Sequence, residues 1–437
     1  GAPQDFMYFV DRCHKSGIGV ILDWVPGHFC RDAHGLCRFN GKKLYESFEH
    51  KQWGTFNFDF GRPEVRSFLI SSALYWIGTY HLDGIRVDGV SSMLYLNFGV
   101  DDPKEKRFNK NGTEENLEAV SFLQELNGAV GKYFPDVFTV AEESTAWPLV
   151  TYPPEKGGLG FHYKWDMGWM NDTLQYETER FEHRRYHHNL LTFSMMYAFS
   201  ENFILPLSHD EVVHGKKSLI GRMPGSYEQQ FAGLRLLFLY QICHSGAKLT
   251  FMGNEIAQFI EWRFYEQLQW FLLEYDKHRQ FQSYVRRLNR LFLEQPALWS
   301  ENYSWDGFQW MDADNSAQSV LIFSRTGADG DRCLAVLNFS DTAYPEYRIG
   351  VPEAGSYKEL LNTDAAEFGG ETPDSIARYK SEAVPMHGQK QSVSLRLPAL
   401  GGILLRCDRK TAKKSIKTGE PSCSQTRKNS NQPTPQN

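Results

Sequence analysis

Over residues 1–300, short apolar runs alternate with amphipathic stretches. Phe6, Phe9, Val10 and Cys13 share one side of a helix stopped by Gly17. Ile18, Val20, Ile21 and Leu22 then form an apolar run that leads into Asp23, Pro26 and His28. Residues 29–60 read as loop. From Pro63 to Tyr80, Val65, Phe68, Leu69, Ala73, Trp76 and Ile77 recur at helical spacing, with proline in the first turn. Leu82 to Val90, "LDGIRVDGV", is a buried strand interrupted by Arg86 and Asp88. The unit repeats: a helix from Glu115 to Lys132, the strand "DVFTVAEEST", the strand-like "FHYKWDMGWM" and a polar helix near 171–185. "ENFILPLSHDEV", a helix over about 226–244, the strand "AKLTFMGNE" and a helix from Asp276 to Leu293 complete the series.

Apolar strands separated by amphipathic helices predict parallel β-structure with helical crossovers. Acids stand where the strands end: Asp23, Asp88, Glu142, Asp210 and Glu255. Polar residues at successive strand C-termini mark the mouth of a (β/α)8 TIM barrel. A doubly wound sheet would concentrate its chemistry at one switch point, and no GxGxxG or P-loop follows any strand. Six strands are legible, so barrel strands 1 and 2 are expected to precede Gly1. Six strands cannot close a barrel, and this chain alone is expected to be unstable or inactive.

The texture changes near Trp305. "SVLIFSR", "CLAVLNFS", "YRIGV", "SYKELLN" and "SVSLRLPALGGILLRC" are short runs punctuated by Gly, Pro and Asp, as in an antiparallel β-sandwich. The expected division is a partial barrel over 1–300, an all-β C-terminal domain over 301–407 and a disordered polar tail over 408–437.

Composition narrows the function classes. A net charge of −6 argues against broad binding to nucleic acid or anionic membrane. No apolar run approaches the ~18 residues a membrane helix needs, and the N-terminus has no signal-peptide pattern. Seven scattered cysteines, an odd number, fit a reducing cytoplasm better than a disulfide framework. His28, Cys30, His34 and Cys37 lie close together, but their spacing matches no common zinc pattern, and no metal or other cofactor is expected. Aromatic residues make up 14% of the chain, enough to stack sugar rings as well as fill a core.

The strand-end acids suggest the chemistry. Arg86 and Asp88 are two apart on a strand and share a face, so the cation keeps Asp88 ionised, as a carboxylate nucleophile requires. Glu142 follows an apolar strand and sits among other acids. Burial and like charge raise a carboxyl pKa, which suits a general acid. Glu143 is its rival, since alternation turns only one of the two inward. Asp210 can grip sugar hydroxyls, and His28 and His209 can donate hydrogen bonds to the ring. Two carboxyls in these roles are the requirements of retaining glycoside chemistry.

Four stretches in order, "DWVPGH", "GIRVDGV", "VAEEST" and "LPLSHD", match the signature regions of the α-amylase clan of glycoside hydrolases and transglycosylases. Within it, "GGLGFHYKWDMGWMNDTL", "LPLSHDEVVHGKKSL" and "LTFMGNE" resemble the bacterial 1,4-α-glucan (glycogen) branching enzymes, from Gly1 to about residue 407. The resemblance implies Asp88 as nucleophile, Glu142 as acid/base and Asp210 as transition-state stabiliser, with Arg86, His28, His209 and Asp23 binding substrate. It implies a cytoplasmic, monomeric transglycosylase of glycogen biosynthesis, acting on glycogen or amylose and needing no cofactor. The alternatives are a hydrolase of the clan, of α-amylase or maltooligosyl-trehalose trehalohydrolase type, and a glucan-binding protein with a decayed site. Many amylases carry a Lys-His pair after the nucleophile that lines acceptor subsites. Ser91 and Ser92 stand there, and are expected to shape the acceptor side.

Overall fold

A computed structural model describes residues 1–51, 53–374 and 376–408. Of the expected tail, 409–437 lies outside the described residues. Asp408 is described, and its N–H donates to the Ser356 carbonyl at 2.7 Å.

The chain opens with α1 (Pro3–Lys15), β1 (Ile21–Trp24), the hairpin strands β2 (Glu46–His50) and β3 (Thr55–Phe58), and α2 (Pro63–Tyr80). Next come β4 (Gly84–Val87), α3 (Val90–Leu94), α4 (Leu117–Tyr133), β5 (Phe138–Ala141), β6 (Tyr163–Trp165), α5 (Met167–Thr178) and α6 (Asn189–Thr192). Then follow β7 (Phe203–Leu207), α7 (Leu219–Arg222), α8 (Tyr227–Cys243), β8 (Ala247–Thr250) and α9 (Asp276–Glu294).

The six strands read from the sequence form one parallel sheet in the order β1-β4-β5-β6-β7-β8. Each strand pairs with the next in the series, as in a βα-barrel. Sequence chemistry explains the connecting helices. In α2, Val65, Leu69, Ala73 and Ile77 recur every fourth residue and are buried, Pro63 fills the first turn, and His81 ends the helix in the left-handed region at φ 55°. The region 29–60, expected as loop, contains the β2–β3 hairpin. The β5–β6 connection has no α-helix, only a short turn at Pro154–Lys156. Ser144 to Leu149, Tyr197, Ser200 and Glu201 line a cavity of about 640 Å³ there.

The C-terminal part contains β9 (Phe308–Asp312), β10 (Val320–Thr326), β11 (Arg332–Asn338), β12 (Tyr344–Val351), β13 (Ser356–Asn362), β14 (Arg378–Lys380), β15 (Gln391–Leu397) and β16 (Gly401–Cys407). They form a six-stranded antiparallel sheet, β14-β13-β16-β11-β10-β9, and the pair β12–β15. Strand alternation gives the large sheet two buried faces. Val320, Ile322, Leu334 and Val336 meet Ile349, Val351, Val393 and Leu395 of the small sheet. Leu321, Phe323, Ala335, Leu337 and Leu404 face the other way, into a core shared with α8 and α9.

Three buried arginines stitch this junction through backbone carbonyls. Arg184 Nη1 donates to Phe339 O at 3.0 Å and Arg235 Nε to Thr363 O at 2.6 Å. Arg325 donates to Gly307 O (2.9 Å), Cys243 O (2.9 Å) and His244 O (2.7 Å). Among the described residues, no helix is long and apolar enough to cross a membrane.

Candidate active site

The C-terminal ends of β1, β4, β5, β7 and β8 carry the polar residues singled out above. Arg86 lies on β4 with Asp88 two residues on, and the two point the same way. Arg86 Nη1 donates to Asp88 Oδ1 at 2.7 Å and also to Asp23 Oδ1. Its Nη2 lies 2.7 Å from Glu142 Oε2. One guanidinium, in a residue only 5% exposed, thus gathers carboxylates from three strands. Beneath it lies the indole of Trp165, whose ring centroid is 4.4 Å from Arg86 Cζ.

Asp88 has a second partner. His28 Nε2 stands 3.2 Å from Asp88 Oδ2. The histidine ring is held by Thr55 Oγ1, 3.3 Å from Nδ1, and by the edge-on ring of Trp53. Glu142 accepts the Gly89 N–H at 2.8 Å. Gly89 has φ +62°, and a Cβ there would lie 3.2 Å from His28 Nε2, so glycine suits both the turn and the close approach. His209 Nε2 is 3.2 Å from Asp210 Oδ1, and both stay partly open to solvent.

The two central carboxyls are driven in opposite directions. Burial pushes Asp88 up, but the His28 hydrogen bond and the Arg86 charge outweigh it and hold Asp88 below the ordinary aspartate range. For Glu142 burial wins. Arg86 and the Gly89 N–H pull it down, the charges of Asp88 and Asp210 push it up, and it stays above the ordinary glutamate range. Asp210 acts on Glu142 through its field. A carboxylate kept ionised and a carboxyl inclined to keep its proton, around one cation, can divide nucleophile and acid/base roles between them.

Glu143 takes no part in this cluster. It is 1% exposed and turns to the other face of the sheet, where Oε2 meets Lys164 Nζ at 2.6 Å. Its Oε1 accepts from Ser91 Oγ at 3.0 Å and from the Thr145 N–H at 2.7 Å. Glu255 accepts the Gly253 N–H within its own loop.

The expectation that Ser91 and Ser92 shape the acceptor side is corrected. Gly89 turns the chain into α3, which buries both serines. Ser91 bonds Glu143 and the Ser144 N–H, and Ser92 donates to Gly89 O at 2.7 Å. Among the described residues, no three His, Cys, Asp or Glu side chains converge as a metal site.

Sequence reasoning missed Trp165, Thr55, Trp53 and the Gly89 N–H. Tyr163 and Trp165 alternate with Lys164, which was the available signal for an inward indole. Thr55 and Trp53 depended on finding the hairpin.

Residues 310–408 match the family described as "Alpha amylase, C-terminal all-beta domain". The chain is 53% identical over 410 residues to the 1,4-alpha-glucan branching enzyme GlgB of Desulfitobacterium hafniense (strain Y51), covering 93% of this chain and 64% of that protein. It is 52% identical over 412 residues to the GlgB of Aquifex aeolicus (strain VF5), covering 93% and 65% respectively. The chain thus spans just under two thirds of the length of these curated relatives. Among solved structures, it is similar to an alpha-amylase from Geobacillus thermoleovorans with a TM-score of 0.61 and 16% identity, covering 94% of this chain and 82% of that one. That likeness is one of fold: a (β/α)8 barrel, here with six strands, followed by an all-β domain. Sequence signatures, fold and relatives agree on one likeness: over 93% of its length the chain is similar to 1,4-alpha-glucan branching enzymes.

Proposed function

We propose that the protein is a retaining transglycosylase that introduces α-1,6 branches into α-1,4-glucans such as glycogen and amylose. The observation that carries this reading is the sharing of Arg86 by Asp88 and Glu142, each 2.7 Å from one of its terminal nitrogens, with opposite pKa directions.

In this reading an Asp88 oxygen attacks the anomeric carbon of the donor chain. Glu142 gives its proton to the glycosidic oxygen, and the leaving chain departs with a free 4-hydroxyl. The glucosyl segment is then an ester of Asp88, and Glu142 is a carboxylate. The C6 hydroxyl of an acceptor chain loses its proton to Glu142 and attacks the same carbon from the opposite face. The α-1,6 bond forms, and Asp88 is released ionised. Asp210 and His209 hold hydroxyls of the reacting sugar, His28 orients Asp88 as well as touching the ring, and Asp23 completes the carboxylate set around Arg86. The reading includes a monomer in a reducing cytoplasm, divided into barrel residues 1–300 and β-domain residues 301–407.

The similarity to branching enzymes favours a sugar acceptor over water. A clan hydrolase would use the same residues and release reducing ends. Amylose is therefore treated with the full-length protein. The expected result is loss of iodine colour with almost no new reducing ends, followed by release of short chains on debranching. Reducing ends rising in step with colour loss would overturn the transferase reading. D88A is expected to abolish both signals, and activity in D88A would overturn the nucleophile assignment.

A further inference from the structure

Arg86 is held by carboxylates at both terminal nitrogens. Among the described residues its buried Nε has no hydrogen-bond partner, and its Nη2 is held by the charge of Glu142 without hydrogen-bond geometry. An arginine with hydrogen bonds along its whole edge is fixed in plane and tilt by them. Here the surface available to set the tilt is the Trp165 ring, 4.4 Å from Cζ.

The indole is itself well fixed. Trp165 is 4% exposed and forms a buried cluster with Val140 and Ile204 from the strands on either side, against which Phe138, Tyr163 and Leu249 pack. Val140 pairs with Tyr163 and Ala141 with Lys164. One residue further along both strands, Glu142 and Trp165 come level on the inward side. The ring therefore stands beside one carboxylate and under the cation that holds two more.

We propose that Trp165 is a positioning residue for the transfer reaction, its ring fixing the tilt of the Arg86 guanidinium and through it the relative placement of Asp88 and Glu142. This rests on the functional reading above and assigns Trp165 no contact with the reacting atoms. An aromatic face is required. An aliphatic side chain can fill much of the volume but offers no quadrupole to a buried guanidinium.

The charged groups facing this arrangement are Asp23 from β1, His28 from the following loop, Asp88 after β4, Glu142 after β5 and Asp210 after β7. Arg86 lowers the proton affinity of both Asp88 and Glu142. Loosening the guanidinium therefore moves both limbs of the pH profile to higher pH.

The test compares W165F, W165M and W165L in the full-length protein, with D88A as reference. Melting temperatures and branching kinetics on amylose are measured across pH. The expected result is that W165M loses roughly 10²-fold in kcat, as a displacement near 1 Å does, with KM little changed and both limbs displaced upward. W165F, which keeps a π face, is expected to retain most of kcat and the parent profile. If W165L does not fold, W165F and W165M still decide the matter. A W165M variant with parental kcat and pH profile would overturn the proposal. So would equal losses in W165F and W165M that track melting temperature with no displacement of the profile. Activity in D88A would sink the functional reading itself, whatever the tryptophan variants do.

Discussion

The neighbours Glu142 and Glu143 should respond in opposite ways to the same change. Glu143 and Lys164 form a pair with side-chain exposures of 0% and 7% and an N–O distance of 2.6 Å. At an effective dielectric near 20, two unit charges that close attract by about 6 kcal/mol, before desolvation is subtracted. Removing one partner strands the other. In E143Q, Lys164 Nζ keeps only the Thr145 carbonyl at 3.1 Å among its described partners. In K164M, Glu143 keeps Ser91 and Thr145 but remains a buried anion. Each single change is expected to cost about 3–5 kcal/mol, the usual penalty for an uncompensated buried charge. In a chain this long that lowers Tm by roughly 2 °C per kcal/mol. The double variant E143Q/K164M is neutral and keeps the acceptors on Oε1, so it should recover at least half of the loss.

E142Q should behave differently. The folded protein raises the Glu142 pKa above the ordinary glutamate value, so the ionised form costs stability as pH rises through the folded value. The amide has no charge to desolvate, and E142Q should keep or raise Tm at neutral pH while losing branching. Calorimetry of the four variants, with the iodine and reducing-end assays, checks this. An E143Q variant as stable as the parent, or an E142Q variant that is markedly destabilised, would refute the assignment of one carboxyl to the site and the other to the outer face of the sheet.

Two further outcomes are expected. The profile of kcat/KM against pH should be a bell, with an acid limb below the ordinary aspartate value because Asp88 is lowered, and a basic limb above the ordinary glutamate value because Glu142 is raised. An acid limb above the ordinary glutamate value would contradict the Asp88 assignment. G168A should lower stability by roughly 1–3 kcal/mol, since a Cβ there would lie 2.3 Å from Tyr197 Oη, which donates to Asp166. Unchanged melting of G168A would contradict that packing.

Much of the site was legible because its parts are local. Period two along "GIRVDGV" places Arg86 and Asp88 on one face with no tertiary knowledge, and the helix 63–80 announces itself by proline and fourfold apolar spacing. What failed depended on distant partners or on one backbone angle. Ser91 and Ser92 follow Asp88 in sequence, but Gly89 at φ +62° curls them into a buried turn of helix. The β2–β3 hairpin is two short strands in a polar, aromatic stretch, and neither has an apolar run long enough to be distinctive. The preference for Glu142 over Glu143 is not among these, since it needs only alternation along β5; the structure adds Lys164, on the next strand, as the partner of Glu143.

The arginines at the junction of barrel and β-sheets also bear on how the molecule comes apart. Arg184, Arg235 and Arg325 are each at most 3% exposed, and each occupies carbonyls belonging to the opposite element set. Severing the chain near residue 300 would leave those carbonyls and two faces of one apolar core open to water together. Helices α8 and α9 and the large antiparallel sheet should therefore melt as one cooperative block, with correlated amide protection. By that measure the seam along which the molecule melts is distinct from the domain boundary proposed near residue 300. It runs instead between this block and the β1–α4 segment, whose core of Ile85, Val87, Leu123 and Leu126 is separate. Exchange of parts between relatives should preserve the block whole, carrying β7, α8, β8 and α9 along with the β-sheets they support.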